Sequence, residues 1–412
     1  MMHLLLILPL LGVLLGMLLG GSSVAREGVR PMPPSLPTDL PLLSIRMLDV
    51  GQGDAILLET PTGKNILIDA GPGANRELLQ RQLERLQLRA LSLLVASHPH
   101  EDHIGNMPWV IDTYPVRAYT DPGTLHTTEN FRRLMERLVE RKVPVREARR
   151  GQRYKLGDDL YLDVLMPRDP LLSETRSDLN NNSVVMRLIY RGFSMLFTGD
   201  AEIEAEARMI DDAILQPTSV LKVGHHGSFS STSPALLDRL KPRLAVASCG
   251  LNNDYGHPHG KTLRVLESRN VPLFRTDQDG QVQLITDGHR LWAQAVARSR
   301  LLSPLPEPLT PDRTLGPLAL DEEGEVRITA DQQRQKQQGL PEVELATQAE
   351  QVRANAQAPV ITEGPFVSSK KWKVFHKSSC ASAQKLAPSN RIYFASEAEA
   401  RDSGRSPAED CK

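Results

Sequence analysis

The sequence has few aromatic residues, few cysteines and almost no net charge. Aromatic residues make up 4% of the 412 residues and hydrophobic residues 40%, so we expect a core built mainly from leucine, valine and isoleucine. Three cysteines are too few for a disulfide scaffold. A formal net charge of −1 gives the whole chain no attraction to nucleic acid or to an anionic membrane. The length is enough for two or three domains.

The first 25 residues contain a long apolar stretch with no Lys or Arg before it. Leu4–Leu19 is shorter than the roughly 20 residues that a membrane span needs and is closer in length to the core of a signal peptide. Ser23, Val24 and Ala25 predict cleavage after Ala25, and an uncleaved N-terminal anchor is the alternative. The absence of a nearby cysteine excludes a lipoprotein anchor. In both cases we expect the body of the chain outside the cytoplasm, secreted or periplasmic, or anchored and facing outwards. The proline-rich residues 26–41 are predicted to be a spacer.

Short β-type runs alternate with helical patterns over residues 42–298. Strand groups separated by helices predict an α/β fold in which two sheets form a sandwich flanked by helices. The predicted strands are Ile45–Val50, Ala55–Glu59, Asn65–Asp69, Leu93–Ser97, Leu160–Leu165, Val184–Tyr190, Met195–Thr198, Val220–Val223, Leu244–Ser248 and Gln281–Ile285, and the predicted helices are Arg76–Leu88, Asn130–Arg141, Glu202–Asp211, Ser233–Arg239 and Lys261–Arg269.

The densest group of metal-ligand side chains follows the apolar run 93–96. His98, His100, Asp102 and His103 lie within six positions at the end of a predicted strand. Residues two apart in an extended segment point the same way, which places His98 and His100 together. Asp102 and His103 are adjacent and must diverge, which suits a second metal beside the first. This ligand set favours Zn²⁺, with Mn²⁺ or Fe as alternatives, and a histidine-rich surface loop is the interpretation without a metal.

Further candidate residues follow later strands. Asp200 ends an apolar run, where its two oxygens could bridge two cations, although it could also cap the next helix. His225 and His226 end another run, and adjacent histidines cannot both face one metal from a strand. We therefore assign His225 as a ligand, and His226 as an orienting or substrate-binding residue together with Ser228. Lys222 could contact a substrate phosphate or be solvated.

Two histidines and two aspartates lie in glycine-rich segments. His257 and His259 could contact a substrate phosphate or protonate the leaving oxygen, or they could simply anchor their loop. Asp49 and Asp69 are predicted to orient ligand histidines through hydrogen bonds and not to bind metal themselves.

Seven segments in order together resemble one family. They are Leu48–Ala55 (LDVGQGDA), Leu67–Gly71 (LIDAG), His98–His103 (HPHEDH), Asn180–Val185 (NNNSVV), Thr198–Asp200 (TGD), Gly224–Ser228 (GHHGS) and Tyr255–His259 (YGHPH). The combination resembles the metallo-β-lactamase superfamily, whose fold is αββα, and within it the hydrolase domain of the ComEC competence proteins. The long membrane channel of ComEC proteins has no counterpart in these 412 residues, so we expect the hydrolytic site without DNA transport.

The resemblance implies two divalent metal ions. Metal one takes His98 and His100, and metal two takes Asp102, His103 and His225, with Asp200 bridging the two. Where the superfamily usually has a further histidine for metal one, this chain and ComEC-type domains have asparagine, and Asn180 is our choice for that position. An amide oxygen is a poorer zinc ligand than imidazole, so we expect metal one to be weak, exchangeable or Mn²⁺.

These features predict an exported binuclear-metal hydrolase that cleaves phosphodiester bonds, with DNA as the expected substrate and partner. Metal-bound water loses a proton near neutral pH, and Asp102 would also orient that water. Phe131–Lys155 has ten basic and three acidic residues, which could face nucleic-acid phosphates or form an arginine-rich surface helix with internal Glu–Arg pairs. The alternatives are a hydrolase of small esters, such as a lactone or a phosphorylcholine ester, and a non-catalytic DNA-binding protein of the same fold.

The C-terminal part changes character twice. Residues 299–365 are rich in proline and then in glutamine, which predicts a linker. Residues 366–412 resemble a degenerate Ada-type metal-binding domain and are expected to form a small α+β module that docks, on DNA among other surfaces. That family closes with a Cys-x-x-Cys pair, of which only Cys411 is present here. We expect a Cys380–Cys411 disulfide, with a poor site formed by both cysteines and His376 as the alternative, and a buried Cys249 thiol.

Overall fold

This computed structural model describes residues 40–298, 313–319, 364–369, 374–386, 391–394, 396–402 and 405–408. The predicted signal peptide or anchor, nearly all of the predicted spacer and most of the predicted linker lie outside these ranges, as does Cys411. Among the described residues, no helix combines the length and the apolar character that crossing a bilayer requires.

The described residues form the following elements. The strands are β1 (Leu43–Met47), β2 (Ile56–Glu59), β3 (Asn65–Ile68), β4 (Leu93–Val95), β5 (Tyr119–Asp121), β6 (Val145–Glu147), β7 (Arg153–Gly157), β8 (Leu160–Met166), β9 (Val185–Tyr190), β10 (Phe193–Phe197), β11 (Val220–Lys222), β12 (Leu244–Ala247), β13 (Leu273–Arg275), β14 (Gln281–Thr286), β15 (Arg290–Val296), β16 (Arg313–Ala319), β17 (Phe366–Ser369), β18 (Val374–Lys377), β19 (Arg391–Phe394) and β20 (Ser406–Pro407). The α-helices are α1 (Arg76–Arg85), α2 (Glu101–Ile104), α3 (Met107–Thr113), α4 (Glu129–Glu140), α5 (Asp178–Asn181), α6 (Ile203–Asp211), α7 (Pro234–Leu240), α8 (Gly260–Glu267), α9 (Thr276–Asp279), α10 (Ala381–Gln384) and α11 (Glu397–Asp402).

Two large sheets face each other. Within the described ranges the first has the strand order β16-β15-β14-β1-β2-β3-β4-β5-β6 and the second β13-β12-β11-β10-β9-β8-β7. A buried apolar cluster joins residues of both sheets, for example Ile45 and Val95 of the first with Val164 and Met195 of the second. A second cluster lies between the first sheet and α1, α3 and α4, and a third between the second sheet and α6, α7 and α8. The predicted αββα sandwich is therefore confirmed.

Parallel strand pairs place the chemistry at one edge of the sandwich. β3, β4 and β5 run parallel in the first sheet, and β10, β11 and β12 run parallel in the second. The carboxyl ends of parallel strands meet at one edge, where ligand-binding loops gather in open α/β sheets. The loops that follow β3, β4, β10 and β11 carry Asp69, His98, Asp200 and His226, respectively.

The structure adds elements that the sequence patterns did not predict. β16 lies inside the predicted linker, where it pairs with β15 and extends the first sheet, so the sandwich continues past residue 298. β17, β18, β19 and β20 form a small separate sheet, with the order β19-β17-β18-β20 in the part described. This sheet and the short helices α10 and α11 are called the C-terminal module below. Its helix α11 packs against α5 of the sandwich.

Candidate metal centre

The loop after β4 brings two imidazoles together. His98 is fully buried and His100 is 8% exposed. Nε2 of His98 lies 2.9 Å from Nδ1 of His100, and it lies 3.8 Å from Oδ2 of Asp200. Two nitrogens this close, with a carboxylate oxygen beside them, suit one cation, as predicted for metal one.

A second group of four atoms lies next to the first. It consists of Asp102 Oδ2, His103 Nε2, Asp200 Oδ2 and His226 Nε2. The distance from His226 Nε2 is 3.2 Å to Asp102, 3.3 Å to His103 and 3.5 Å to Asp200, and His103 Nε2 lies 3.3 Å from Asp200 and 3.8 Å from Asp102. A tetrahedral zinc site with bonds of about 2.0–2.1 Å has ligands about 3.3 Å apart. These five distances are therefore close to the ligand spacing of a tetrahedral metal site.

Hydrogen bonds on the far side of the rings hold the ligand nitrogens in place. His103 Nδ1 donates to Asp69 Oδ2 over 2.8 Å, while Asp69 also accepts bonds from the backbone and the hydroxyl of Ser97, at 2.7 Å each. His226 Nδ1 donates to the carbonyl oxygen of Ser248 over 2.9 Å. Each ring therefore presents its Nε2 lone pair to the centre, an arrangement typical of metal-binding histidines. The structure places Asp69 in the orienting position predicted for it.

The charges of the site also suit a cation. Burial alone would lower the pKa of His103, but Asp200, Asp69 and Asp102 together raise it well above its ordinary value. The pKa of His226 is likewise raised, against burial, by Asp200 and Asp54. In contrast, burial, His103 and His100 hold the pKa of His98 well below its ordinary value. The carboxylates thus favour a positive charge at this site, and a divalent ion would supply it.

Two buried polar oxygens near these groups also fit a bound metal pair. Asp200 Oδ1 and Asn180 Oδ1 have no hydrogen-bond partner within the described part of the chain. Buried polar atoms are rarely left unpaired, and those that are call for an explanation such as an ion or a water molecule. The donor set of imidazoles, carboxylates and an amide oxygen matches Zn²⁺ or Mn²⁺.

The two adjacent histidines differ from their predicted roles. His226, not His225, completes the four-atom group, because Gly224–Gly227 is a tight turn and not the end of a strand. Both histidines there have positive φ, +45° for His225 and +53° for His226, which rotates their side chains apart. His225 Nε2 still lies 3.5 Å from Asp200 Oδ2, and its ring is 23% exposed. The structure thus places His225 beside the bridging carboxylate, facing the opening.

Glu202 holds both His225 and the predicted ligand Asn180. Its Oε1 accepts bonds from His225 Nδ1 at 3.0 Å, Ser230 Oγ at 3.0 Å and Asn180 Nδ2 at 3.4 Å. Asn180 is 4% exposed, and its Nδ2 bond leaves the amide oxygen available. The sequence analysis placed Glu202 only at the start of a helix. Its position two residues after Asp200 was the signal that could have identified it.

Two predicted roles do not fit the structure. Asp49 contacts no ligand histidine: its carboxylate pairs with the Arg298 guanidinium and accepts a bond from Gly51 N. Lys222 cannot contact a substrate phosphate, because it is fully buried and its ammonium group pairs with Asp54. Asp54 in turn lies 3.4 Å from His226 Nδ1, whose proton is donated to Ser248, so Asp54 acts on the centre through its charge and not through the orienting hydrogen bond that was expected of Asp49.

The motif Gly51–Asp54 packs against the candidate metal ligand Asp102. Gly53 has φ +141°, and a Cβ there would lie 2.2 Å from the carbonyl oxygen of Asp102. Asp54 N donates to the same oxygen over 3.2 Å. Only glycine therefore allows this loop to support Asp102 from behind.

Other predicted residues line the opening or lie beneath it. His257 is 8% exposed, and its ring centroid is 5.5 Å from that of His225. Burial and three neighbouring histidines lower the pKa of His257 to about 3, so at neutral pH its ring is uncharged and lacks the imidazolium proton that a general acid would give to a leaving group. His259 Nδ1 accepts a bond from Phe229 N over 3.1 Å, which matches the loop-anchoring alternative. Ser228 is buried and hydrogen-bonded to Ser230, without access to the opening.

The sequence analysis did not identify His126. This residue is 7% exposed, and its ring centroid lies 5.9 Å from that of His100. It stands alone in the loop between β5 and α4, where no motif signals its role.

The arginine-rich stretch is largely neutralised by internal ion pairs. Within the described chain, seven of its arginines have a carboxylate oxygen within 4.0 Å: Arg132, Arg133, Arg137, Arg141, Arg149, Arg150 and Arg153. Their partners include Glu129, Asp112 and Asp163, which lie outside Phe131–Lys155 and were therefore not included in the count of acidic residues for that stretch. The structure thus supports the alternative of a surface helix with Glu–Arg pairs.

Two cysteines are described. Cys249 is buried and unpaired within the described residues, and burial raises the pKa of its thiol to about 12. Cys380 is disulfide-bonded, and its predicted partner Cys411 lies outside the described residues.

The chain is similar to a known protein family and to several known proteins. Residues 48–250 match the model of the metallo-beta-lactamase superfamily. The chain is 30% identical over 256 residues to ComE operon protein 3 of Bacillus subtilis, covering 58% of this chain and 32% of that protein. It is 32% identical over 250 residues to Recombination protein 2 of Haemophilus influenzae, covering 59% and 29%. The crystal structure of the metallo-beta-lactamase fold protein YhfI from Bacillus subtilis is 10% identical, with a TM-score of 0.38, over 57% of this chain and 96% of that one.

The chain spans about a third of the length of these two curated relatives. The matched range contains His98, His100, Asp102, His103, Asp200, His225 and His226. The Ada-type resemblance of the C-terminal module stays a prediction. Residues 48–250 form a metallo-beta-lactamase superfamily domain, and its relatives include ComEC-type competence proteins.

Proposed function

We propose that this chain is a binuclear metal-dependent hydrolase that cleaves phosphodiester bonds, with DNA as its substrate. The observation that carries the proposal is the convergence of two ligand groups on Asp200. His98 and His100 form one group, and Asp102, His103 and His226 form the other. Asp200 Oδ2 contacts the second group while its Oδ1 is free of protein partners in the described residues.

Two divalent cations, Zn²⁺ or Mn²⁺, would supply a hydroxide nucleophile at neutral pH and positive charge for the phosphoryl oxygens. The chain contributes fixed ligand positions, because Asp69 and the Ser248 carbonyl hold the rings of His103 and His226. His225 is partly exposed, and its Nδ1 is held by Glu202, so it presents its Nε2 beside Asp200 at the opening. Asp102 is 32% exposed at its side chain, so it can both bind metal and orient water.

The choice of DNA is supported by the names of the relatives. The Haemophilus influenzae protein is named for recombination, which is a reaction of DNA. The arginine-rich stretch no longer adds support, because its charges are paired. A small ester thus remains the alternative substrate, and a non-catalytic DNA-binding protein the alternative of another class.

The decisive experiment measures metal content and DNA cleavage together. Purified full-length protein, loaded with Zn²⁺ or Mn²⁺, is incubated with linear DNA beside His100→Ala and the exposed control His289→Ala. We expect two equivalents of metal and cleavage by wild type and by His289→Ala, with activity lost in His100→Ala. Equal cleavage by His100→Ala would mean a contaminating nuclease, and cleavage of a lactone but not DNA would favour the small-ester alternative.

We also propose that the protein acts outside the cytoplasm. The support is the apolar N-terminal stretch Leu4–Leu19 followed by the small residues before Arg26. A fusion of residues 1–41 to a reporter that is active only after export tests this, and a cytoplasmic reporter would refute it.

A further inference from the structure

The exposed large apolar side chains of the described residues gather at the edge of the sandwich that carries the metal centre. Each follows the carboxyl end of a strand at that edge: Leu125 follows β5, Ile203 follows β10, Phe229 follows β11, and Leu251 and Tyr255 follow β12. These strands deliver the candidate ligands or run parallel to strands that do. Single exposed apolar residues are normal on a protein surface, whereas a group of them in one region marks a binding surface. The group therefore indicates a ligand with apolar faces.

Phe229 is connected to the metal centre by a series of adjacent rings. The side chain is 42% exposed, and its ring centroid lies 5.1 Å from that of His259. The centroid of His259 lies 4.8 Å from that of His257, which lies 5.5 Å from that of His225. His225 in turn contacts Asp200. Three ring contacts thus keep Phe229 within reach of the nucleotides next to a phosphate held at the metal pair.

Two basic side chains accompany Phe229. The guanidinium carbon of Arg176 lies 4.7 Å from the centre of the Phe229 ring, and 57% of the Arg176 side chain is exposed. Lys261 is exposed, and its Nζ donates to the Phe229 carbonyl oxygen over 3.4 Å. Nε of Arg176 also lies 3.9 Å from Oε2 of Glu202, the carboxylate that holds His225. This position offers a flat apolar surface and positive charge together, beside the opening.

We propose that Phe229 and Arg176 form a stacking site for an unpaired base near the scissile phosphate, with Lys261 contacting a phosphate of the same strand. The inference rests on the proposed phosphodiesterase function and specifies its substrate as a strand with unpaired bases. A base can stack on an aromatic ring or on a guanidinium plane, as it does in proteins that bind single strands. A base inside a duplex is covered on both faces by its neighbours and would first have to leave the stack.

The test measures binding to strands with and without bases, in chelator-treated full-length protein so that no cleavage occurs. Fluorescence anisotropy compares a labelled single strand, the same strand paired with its complement, and an abasic strand of equal length and charge. We expect wild type to bind the unmodified single strand at least about 5-fold more tightly than the abasic strand, which corresponds to one stacked base. Phe229→Ala should remove this preference, and Phe229→Trp should keep it because it restores a flat ring.

The matched control is Tyr161→Ala. This variant also removes a ring with an arginine beside it, since the guanidinium carbon of Arg153 lies 4.9 Å from the Tyr161 ring centre. Tyr161 pairs with Ile189, which pairs with Ser194 near the start of β10, so Tyr161 lies at the edge away from the metal centre. We expect Tyr161→Ala to keep the wild-type preference for bases.

The outcomes separate the stacking site from the nuclease. Base-dependent binding that is lost in Phe229→Ala, without DNA cleavage by the metal-loaded protein, would support the site and refute the nuclease. Three results would refute the site whatever the activity: equal binding of unmodified and abasic strands by wild type, a preference for bases that Phe229→Ala retains, or tighter binding of the duplex than of the single strand.

Two further results would assign Phe229 another role and overturn the proposal. Equal weakening of unmodified and abasic strands in Phe229→Ala would mean that the ring supports the fold. Flotation with phosphatidylglycerol vesicles by wild type but not by Phe229→Ala, with no preference for bases, would mean that these exposed side chains contact a membrane.

Discussion

The structure places His226, and not His225, among the four candidate ligand atoms of the second group. This placement predicts that the two histidines contribute differently to metal affinity. His226→Ala removes a nitrogen that lies 3.2–3.5 Å from the other three atoms of the second ligand group. His225→Ala removes a ring whose Nε2 contacts Asp200 at 3.5 Å and that belongs to no such group among the described residues. Loss of a group that only orients a ligand weakens metal binding by about 10–100-fold. Loss of a direct ligand must cost more, so we expect His226→Ala to lower the affinity for the second metal by more than about 100-fold and His225→Ala by about 10-fold or less.

A competition titration with a chromogenic chelator measures both affinities in the same buffer. The two variants form a matched pair, because each removes a histidine with positive φ from one turn, so backbone strain affects both alike. If His225→Ala loses the second metal and His226→Ala keeps it, the tetrahedral group is misassigned. Equal losses in both variants would show that the turn, and not either ligand, controls metal binding.

Three further predictions concern the stability of the site. Metal at 100 times its dissociation constant should stabilise the fold by about 2.7 kcal/mol per site. Differential scanning calorimetry would record this as a rise in Tm of about 5–10 °C, and an unchanged Tm would argue against a metal site in the folded protein. Asp69→Asn should weaken metal binding at His103 by about 10–100-fold in the same chelator titration, and unaltered affinity would remove the orienting role of Asp69. Lys222→Met leaves Asp54 buried without its counter-charge and should lower the free energy of unfolding, measured in urea, by about 3–5 kcal/mol. The exposed control Lys155→Met should change that free energy by less than about 0.5 kcal/mol.

The fold was largely predictable because its signals are local. Each predicted strand and helix of residues 42–298 has a counterpart in the structure, since apolar periodicity depends on neighbouring residues only. Five strands of this region were missed: β5, β6 and β13 have three residues each and are too short for a periodic signal, whereas β7 and β15 have five and seven residues. β16 was missed because proline-rich flanks mask a strand that forms only by pairing with β15.

The site was predictable where ligands cluster in one segment and not where the backbone turns. The segment 98–103 revealed its role because spacing alone places its side chains. The structure brings His226 into the four-atom group where the sequence analysis expected His225, because strand geometry was assumed for a turn with two positive φ angles. Asp49 and Lys222 were assigned by proximity in sequence, whereas their partners Arg298 and Asp54 are distant along the chain.

The ligand groups belong to different layers of the sandwich. His98 to His103 follow a strand of the first sheet, whereas Asp200 and His226 follow strands of the second. An ion bound by both is a cross-link between layers that otherwise meet mainly through apolar side chains and the buried Lys222–Asp54 pair. Metal occupancy should therefore control how readily the two layers separate at this edge, and amide hydrogen exchange in β4 and β11 would slow as the ions bind.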